Sequence, residues 1–234
     1  MKILSIDTSS PNCSVCVLED TTVLKQIDLQ DANTHSVNLM PLIQQILEQL
    51  HLTLSDIDLF ACDKGPGSFT GIRIGIATIK AFCDVTEKPA MGISSLLGLS
   101  RKVAEDGIIC SLIDAKNDNV YYGLFEKNGE NYSQIGELSA QNIYEILPIL
   151  QAQEKSIFFV GNGSIAFQDV LESNLGKKAI ILQGDSYQNI TAKEIGLAAL
   201  QAFSMQQEAP LVPLYLRKSN AERDKEASSH GNCP

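Results

Sequence analysis

The chain writes one local pattern twice. An apolar run at residues 3–6 ends on Asp7, the turn formers Asp7-Thr8-Ser9-Ser10-Pro11-Asn12 follow, and a second apolar run fills 13–18. Far downstream, 108–113 leads to Asp114, then Asp114-Ala115-Lys116-Asn117-Asp118-Asn119, and 120–125 is again rich in β-formers. Each copy reads as strand, polar hairpin, strand. A hairpin cannot bury its apolar faces alone, so the repeat calls for two related units, each completed by helices.

The rest of each unit supplies them. Residues 23–29 add a third strand. Asn33 or Thr34 caps a helix to about 50, with Leu39, Leu42, Ile43, Ile46, Leu47 and Leu50 on one stripe and Pro41 within its first two turns. A strand at 59–62, a glycine loop at 64–71 and a buried helix at 72–83 follow, the helix carrying Ile72, Ile76, Ile79 and Phe82. Next come a strand at 90–93 and a helix from Ser94 or Ser95 to about 104. In the second unit, Leu138-Ser139 opens a helix through Ile143, Ile146 and Leu147, limited by Pro148. A strand at 156–160, a tight turn Gly161-Asn162-Gly163-Ser164 and a helix capped by Ser164 come next. Thr191 and Glu194 form a capping box for a last helix. The division expected is 1–105, 106–218 with its last helix packing back on the first unit, and a frayed tail at 219–234.

The 234 residues carry 18 basic and 28 acidic side chains, a net charge of -10. The excess is shared evenly between residues 1–110 and 111–234, so neither part holds a basic footprint. That argues against this chain gripping nucleic acid by itself. Met1-Lys2 runs directly into a strand, with no signal segment or long apolar run. The expectation is a cytoplasmic protein with no membrane span. Six dispersed cysteines then read as reduced thiols. Cys13 and Cys16 would point to opposite faces of one strand and lack further zinc ligands. His35, His51 and His230 form no metal-binding pair, and no nucleophile–base arrangement for a protease is visible. Neither a metal site nor a catalytic residue is assigned.

Two segments invite a functional reading. Asp7 and Asp114, with Thr8 and Ser9, sit where facing hairpins would hold phosphates through Mg²⁺ and backbone N–H groups; the alternative is that both acids close Asx-turns. Gly65-Pro66-Gly67-Ser68-Phe69-Thr70-Gly71-Ile72-Arg73 leads into a helix N-terminus, a place for an anion or simply a turn. It is neither a Walker A loop nor G-x-G-x-x-G. Ser68 is its cap candidate. Gly71, Gly75 and Ala81 offer another helix a close approach. Arg73 and Arg101 suit phosphate or carboxylate binding, or plain surface placement.

These motifs resemble the TsaB (YeaZ) family of bacterial tRNA threonylcarbamoyladenosine biosynthesis proteins. The resemblance runs from Ile3-Leu4-Ser5-Ile6-Asp7-Thr8-Ser9 through His35-Ser36, Leu39 and Pro41. It is sharpest at Gly65 to Gly75 and continues in Gly92-Ile93-Ser94-Ser95-Leu96, Ile113-Asp114-Ala115, Val120-Tyr121, Gly161-Asn162-Gly163 and Tyr215-Leu216-Arg217. It implies an α/β, two-lobed actin-like (ribonuclease H-like) fold of duplicated mixed-sheet units with flanking helices. It implies a non-catalytic but required subunit that pairs with the paralogue TsaD and the ATPase TsaE. TsaD moves threonylcarbamoyl onto adenosine of tRNAs reading codons that start with A. Contact with tRNA is then indirect, ATP and Mg are used by the complex, and no cofactor is held firmly by this chain alone. The implied pairing face, shared with a homodimer of the free protein, holds His35, Leu39, Ile43, Gly67, Ser68, Phe69, Thr70, Gly71, Arg73, Gly75, Ile76 and Ile79. Candidate nucleotide or phosphate contacts are Asp7, Thr8, Ser9, Asp114, Gly161 and Gly163. Three departures fit a non-catalytic role: Thr8 follows Asp7 where a kinase-like phosphate loop soon has Gly; Leu39 stands where the paralogue has a second metal-binding His; and Lys116-Asn117 replace the family's usual arginines. The competing reading is an independent Mg-ATP-dependent small-molecule kinase or ATPase.

Overall fold

Two sheets of identical strand order organise the chain. The structure, a computed structural model, describes residues 1–30 and 34–217. The first sheet takes β1 (Lys2–Asp7), β2 (Cys13–Glu19), β3 (Thr22–Leu29), β4 (Leu59–Asp63) and β5 (Ala90–Ile93) in the order β3-β2-β1-β4-β5. The second takes β6 (Gly107–Asp114), β7 (Asn119–Asn128), β8 (Asn131–Asn142), β9 (Ile157–Val160) and β10 (Ala179–Ile181) in the order β10-β9-β6-β7-β8. In both, a three-stranded antiparallel meander is followed by two parallel additions. The repeat called for two related units, and the arrangement they take is the duplicated actin-like one that the resemblance implied.

The helices are α1 (His35–Leu50), α2 (Phe69–Thr86), α3 (Ser95–Ser100), α4 (Ile143–Gln151), α5 (Asn162–Ala166), α6 (Gln168–Leu175), α7 (Asp185–Gln188) and α8 (Ala192–Ser204). The strands are apolar on both faces because both faces are covered. On β1, Leu4 and Ile6 point outward to Leu39, Ile43 and Ile46 of α1 and Ile72, Ile76 and Ile79 of α2. Ile3 points the other way, into a core shared by both sheets. Cys13 and Cys16 divide in the same manner, one in each cluster. On the second sheet, Cys110 and Leu112 meet Ile143, Ile146 and Leu150 of α4 and Leu171 of α6.

The shared core binds the lobes together. It joins Leu18, Leu59 and Ala61 of the first sheet to Ile109, Phe125 and Val160 of the second, through Leu96 and Leu99 of α3 and Ile195, Ala198 and Ala199 of α8. The helices exchange partners: α3 lies on the second sheet and α8 on the first. Gly196 is needed there, because a side chain would meet Leu18 and Ser5. Arg101, at the C-terminus of α3, donates to Gln201 Oε1 of α8 and lies over the Tyr132 ring at 4.7 Å, so it is an interlobe brace rather than an anion site.

Several local expectations are corrected. Leu138 and Ser139 belong to β8, where Ser139 pairs with Tyr122; the helix begins only at Ile143, with Asn142 Oδ1 accepting from Tyr144 N. Gly161-Asn162-Gly163-Ser164 leads straight into α5, and Ser164 Oγ donates back to Gly161 O instead of capping. Thr191 and Glu194 contact each other side chain to side chain, while the N–H of Ala192 donates to Ser14 Oγ of β2. Thr34 occupies the N-cap position of α1 without a side-chain cap bond. Asn33, His230, Cys233 and the expected tail at 219–234 lie outside the described residues.

Candidate interlobe cleft and helical face

The two hairpins face one cleft of about 880 Å³. Its first-lobe wall is Ser9, Ser10 and Pro11, the start of α1 at Thr34, His35 and Ser36, and the loop Pro66-Gly67-Ser68-Phe69-Thr70. Its second-lobe wall includes Asp114, Ala115, Lys116, Tyr121, Asn162 and Arg217. The segment ending at Arg217 crosses from lobe to lobe. Gly92 N donates to Ala209 O, Leu214 N to Lys64 O, and Arg217 Nη1 to Ala115 O. Tyr215 stacks on Phe69 at 4.7 Å and accepts from Arg73 Nε at 2.8 Å. Arg73 is therefore an exposed member of a small aromatic–cation cluster.

Of the candidate phosphate contacts, Ser9 and Asp114 border this cleft, while Asp7, Thr8, Gly161 and Gly163 do not. Asp7 is fully buried, and its Oδ1 accepts from Ser9 N and Ser9 Oγ, both at 2.8 Å. Ser9 Oγ also lies 2.6 Å from Asp63 Oδ2, a residue that sequence reasoning missed. Parallel pairing of Ile6 with Cys62 sets the two acids side by side. A lone acid ending an apolar run gave no spacing signal for this. Burial, then the charge of Asp63, pushes the Asp7 carboxyl well up; burial likewise pushes Asp63 up. Thr8 Oγ1 donates to Gly71 O inside the fold. Gly161 and Gly163 serve packing: a Cβ at Gly161 would lie 2.1 Å from Leu112 O, and one at Gly163 3.0 Å from Leu112 C. Asp114 alone of the two acids borders the cleft. Its Oδ1 accepts from Lys116 N and its Oδ2 from Lys116 Nζ, closing the Asx-turn. Partial burial would raise its carboxyl, but the hydrogen bonds and charge of Lys116 outweigh that and hold it below the usual carboxylate range.

The implied pairing residues divide as sharply. Leu39, Gly71, Gly75, Ile76 and Ile79 are buried against the first sheet, and Ile43, also buried, reaches the floor of a groove beside α1. The small residues of α2 admit the turn after β1 rather than another helix: a Cβ at Gly71 would sit 1.8 Å from Thr8 O, and one at Gly75 2.6 Å from Thr8 Oγ1 and 3.0 Å from Cys62 Sγ of β4. Ser68 is the cap of α2, its Oγ accepting from Gly71 N. His35, Gly67, Ser68, Phe69 and Thr70 line the cleft, and His35 Nδ1 is buried with no hydrogen-bond partner among the described residues. Outward, α1 and α2 present polar side chains such as Gln44, Gln45, Glu48, Arg73, Lys80 and Asp84, and among them three large apolar ones: Val37 is 64% exposed, Met40 50% and Val85 82%. The groove beside α1, of about 340 Å³, is lined by Met40, Ile43, Leu47, Leu52, Leu54 and Phe82 with Gln44 and Glu48 at its edge.

Among the described residues, no group of His, Cys, Asp and Glu is arranged to hold a metal ion, and no helix is long and apolar enough to cross a membrane. The five described cysteines are unpaired, and burial pushes the Cys13 and Cys16 thiols up to about 12. Such thiols are packing residues rather than nucleophiles.

Comparison with known proteins agrees with this fold. Residues 23–225 match the family model described as TsaD, tRNA N6-adenosine threonylcarbamoyltransferase. The chain is 31% identical to the tRNA threonylcarbamoyladenosine biosynthesis protein TsaB of Escherichia coli, covering 94% of this chain and 96% of that protein. It is 29% identical to the TsaB of Bacillus subtilis, covering 95% and 96%. The solved YeaZ of Pseudomonas aeruginosa shares the fold with a TM-score of 0.77 at 23% identity, over 92% of this chain and 99% of that one. The chain thus belongs to the family this model describes and, within it, to the TsaB (YeaZ) family.

Proposed function

We propose that this chain is a non-catalytic but required partner subunit of the bacterial complex that transfers a threonylcarbamoyl group to adenosine 37 of tRNAs reading codons that start with A. In this reading it binds and activates a TsaD homologue together with a TsaE homologue in the cytoplasm. It meets tRNA only through the complex, and dimerises through the same face when isolated. Its two lobes, 1–105 and 106–218, act as a unit. The observation that carries the reading is the burial of Asp7: the first-lobe acid that a phosphate-transferring relative would aim at Mg²⁺ is spent on Ser9, Ser10 and Asp63. Leu39, in the position of the paralogue's second metal histidine, is core. The exposed Val37, Met40 and Val85 and the adjoining groove support α1 and α2 as the partner face. ATP and Mg are assigned to the complex. Reconstitution of the modification with and without the chain tests this: modified adenosine is expected only when the chain is present, and equal yield without it contradicts the reading.

The second reading, an independent Mg-ATP-dependent kinase or ATPase, is favoured by one feature, the roomy cleft between the hairpins. Calorimetry and turnover with Mg-ATP on the lone chain separate the two; binding with turnover would support the kinase.

A further inference from the structure

The turn after β1 and the loop after β4 are joined through two buried carboxyls. Asp7 and Asp63 are both fully buried. Ser9 Oγ stands between them, 2.8 Å from Asp7 Oδ1 and 2.6 Å from Asp63 Oδ2. A serine hydroxyl has one hydrogen to donate. It satisfies one carboxylate; the other contact needs a proton on the carboxyl, donated to Oγ. Ser95 Oγ lies 2.8 Å from both Asp63 Oδ1 and Pro66 O and shares its one hydrogen between these two acceptors.

We propose that Asp7 and Asp63 share one proton at neutral pH, and that this proton clasps the β1–β2 turn to the Gly65-Pro66-Gly67-Ser68 loop that walls the cleft. Two of the bonds that hold the loop adjoin the pair. Asp63 Oδ1 accepts from Gly65 N at 2.7 Å, and Ser9 O accepts from Ser68 N at 2.7 Å, directly before α2. Two ionised carboxylates here would repel at short range in a site that water does not reach. No cation relieves them: among the described residues no ion pair reaches either carboxyl. The other titratable groups facing the pair are Cys13 from β2, Cys62 from β4 and Lys64 of the loop. Burial pushes both thiols up and the Lys64 ammonium down. α3 reaches the pair with Ser95, α2 closes over the adjoining turn at Gly71 and Gly75, and His35 of α1 lies beside Gly71.

The sign of the pH dependence follows. The folded chain keeps a proton that the unfolded chain loses above the ordinary aspartate range, near pH 4. This pair's contribution is full below that range and is lost as pH rises through the folded pKa. Within that window the unfolding equilibrium constant rises about tenfold per pH unit from this pair alone. Asp63→Asn supplies the hydrogen covalently and removes the dependence.

The test is carboxyl ¹³C NMR of the full chain labelled at aspartate, at pH 7, with Asp7→Asn and Asp63→Asn for assignment. Denaturant titrations of wild type and Asp63→Asn from pH 6 to 9 accompany it. The expected result is one aspartate carboxyl still protonated at pH 7 in the wild type, absent from either variant, and a wild-type loss of stability with rising pH that Asp63→Asn does not share. All aspartates ionised at pH 7, or the same pH slope in wild type and Asp63→Asn, would overturn the proposal. If a variant fails to fold, the wild-type spectrum alone decides.

Discussion

Asp7 closes β1 and Asp114 closes β6, at matching places in two sheets of the same order. Both begin a hairpin, and in both the carboxyl accepts at 2.8 Å from the N–H two residues on, from Ser9 in one and Lys116 in the other. Their surroundings differ. Over the first turn, α2 closes at Gly71 and Gly75 and shuts Asp7 in with Asp63. Over the second, α5 abuts β6 at Leu112, Asp114 N donates to Asn162 Oδ1, and the hairpin tip stays at the cleft. There Lys116, Asn117 and Asp118 all take left-handed backbone, φ 65°, 54° and 57°. Duplication preserved the Asx-turn and let the helix above it decide what the acid does. In one lobe the acid is a structural member; in the other it borders the cleft.

The comparison is broken most severely at the helix. Gly71→Ala forces a methyl into Thr8 O and should cost about 3 kcal/mol, seen as a lowered denaturation midpoint or insolubility. Its second-lobe counterpart, Gly163→Ala, meets Leu112 at 3.0 Å and should cost about 1–2 kcal/mol. Asp63→Ala ranks next. It strips Gly65 N of its acceptor, leaves Ser95 Oγ only Pro66 O, and should cost about 2 kcal/mol at neutral pH by urea unfolding. Asp114→Asn should cost about 0.5 kcal/mol, because Lys116 is 82% exposed and well screened. Its pH signature is opposite to that of the buried pair. A lowered carboxylate stabilises above the unfolded aspartate pKa and loses that contribution as pH falls through its folded pKa. Val85→Asp should change stability by less than about 0.5 kcal/mol while weakening association with TsaD or with a second copy, read by analytical ultracentrifugation.

Much of this architecture was legible in the sequence because the strands are short, apolar and stopped by turn formers. Ser68 and Ser94 cap where a hydroxyl stands before an apolar helix. β8 was not legible: it is half-exposed, and the register shift at Tyr122/Leu124 in its pairing with β7 breaks the alternation that marks a strand. The site was less legible still. Gly71 and Gly75 announce a close approach but not what approaches, and it proved to be the chain's own first turn. Leu39, Ile43, Ile76 and Ile79, read from the apolar stripes, proved to be the inward face of α1 and α2, whereas Val37, Met40 and Val85 stand exposed on the other side. Asp63 meets Asp7 only because β4 pairs beside β1, a relation that sequence spacing does not encode.

The central claim is that the first-lobe acid does no chemistry and that the chain serves its partner. Reconstituted tRNA modification with Asp7→Asn in place of the wild-type chain addresses it most directly. The isosteric change removes the charge that a metal-dependent mechanism would need and keeps the side chain's shape. The account predicts a rate within about twofold of wild type, with unchanged association with TsaD. A loss of about a hundredfold in rate from a variant that still folds and still associates would contradict it.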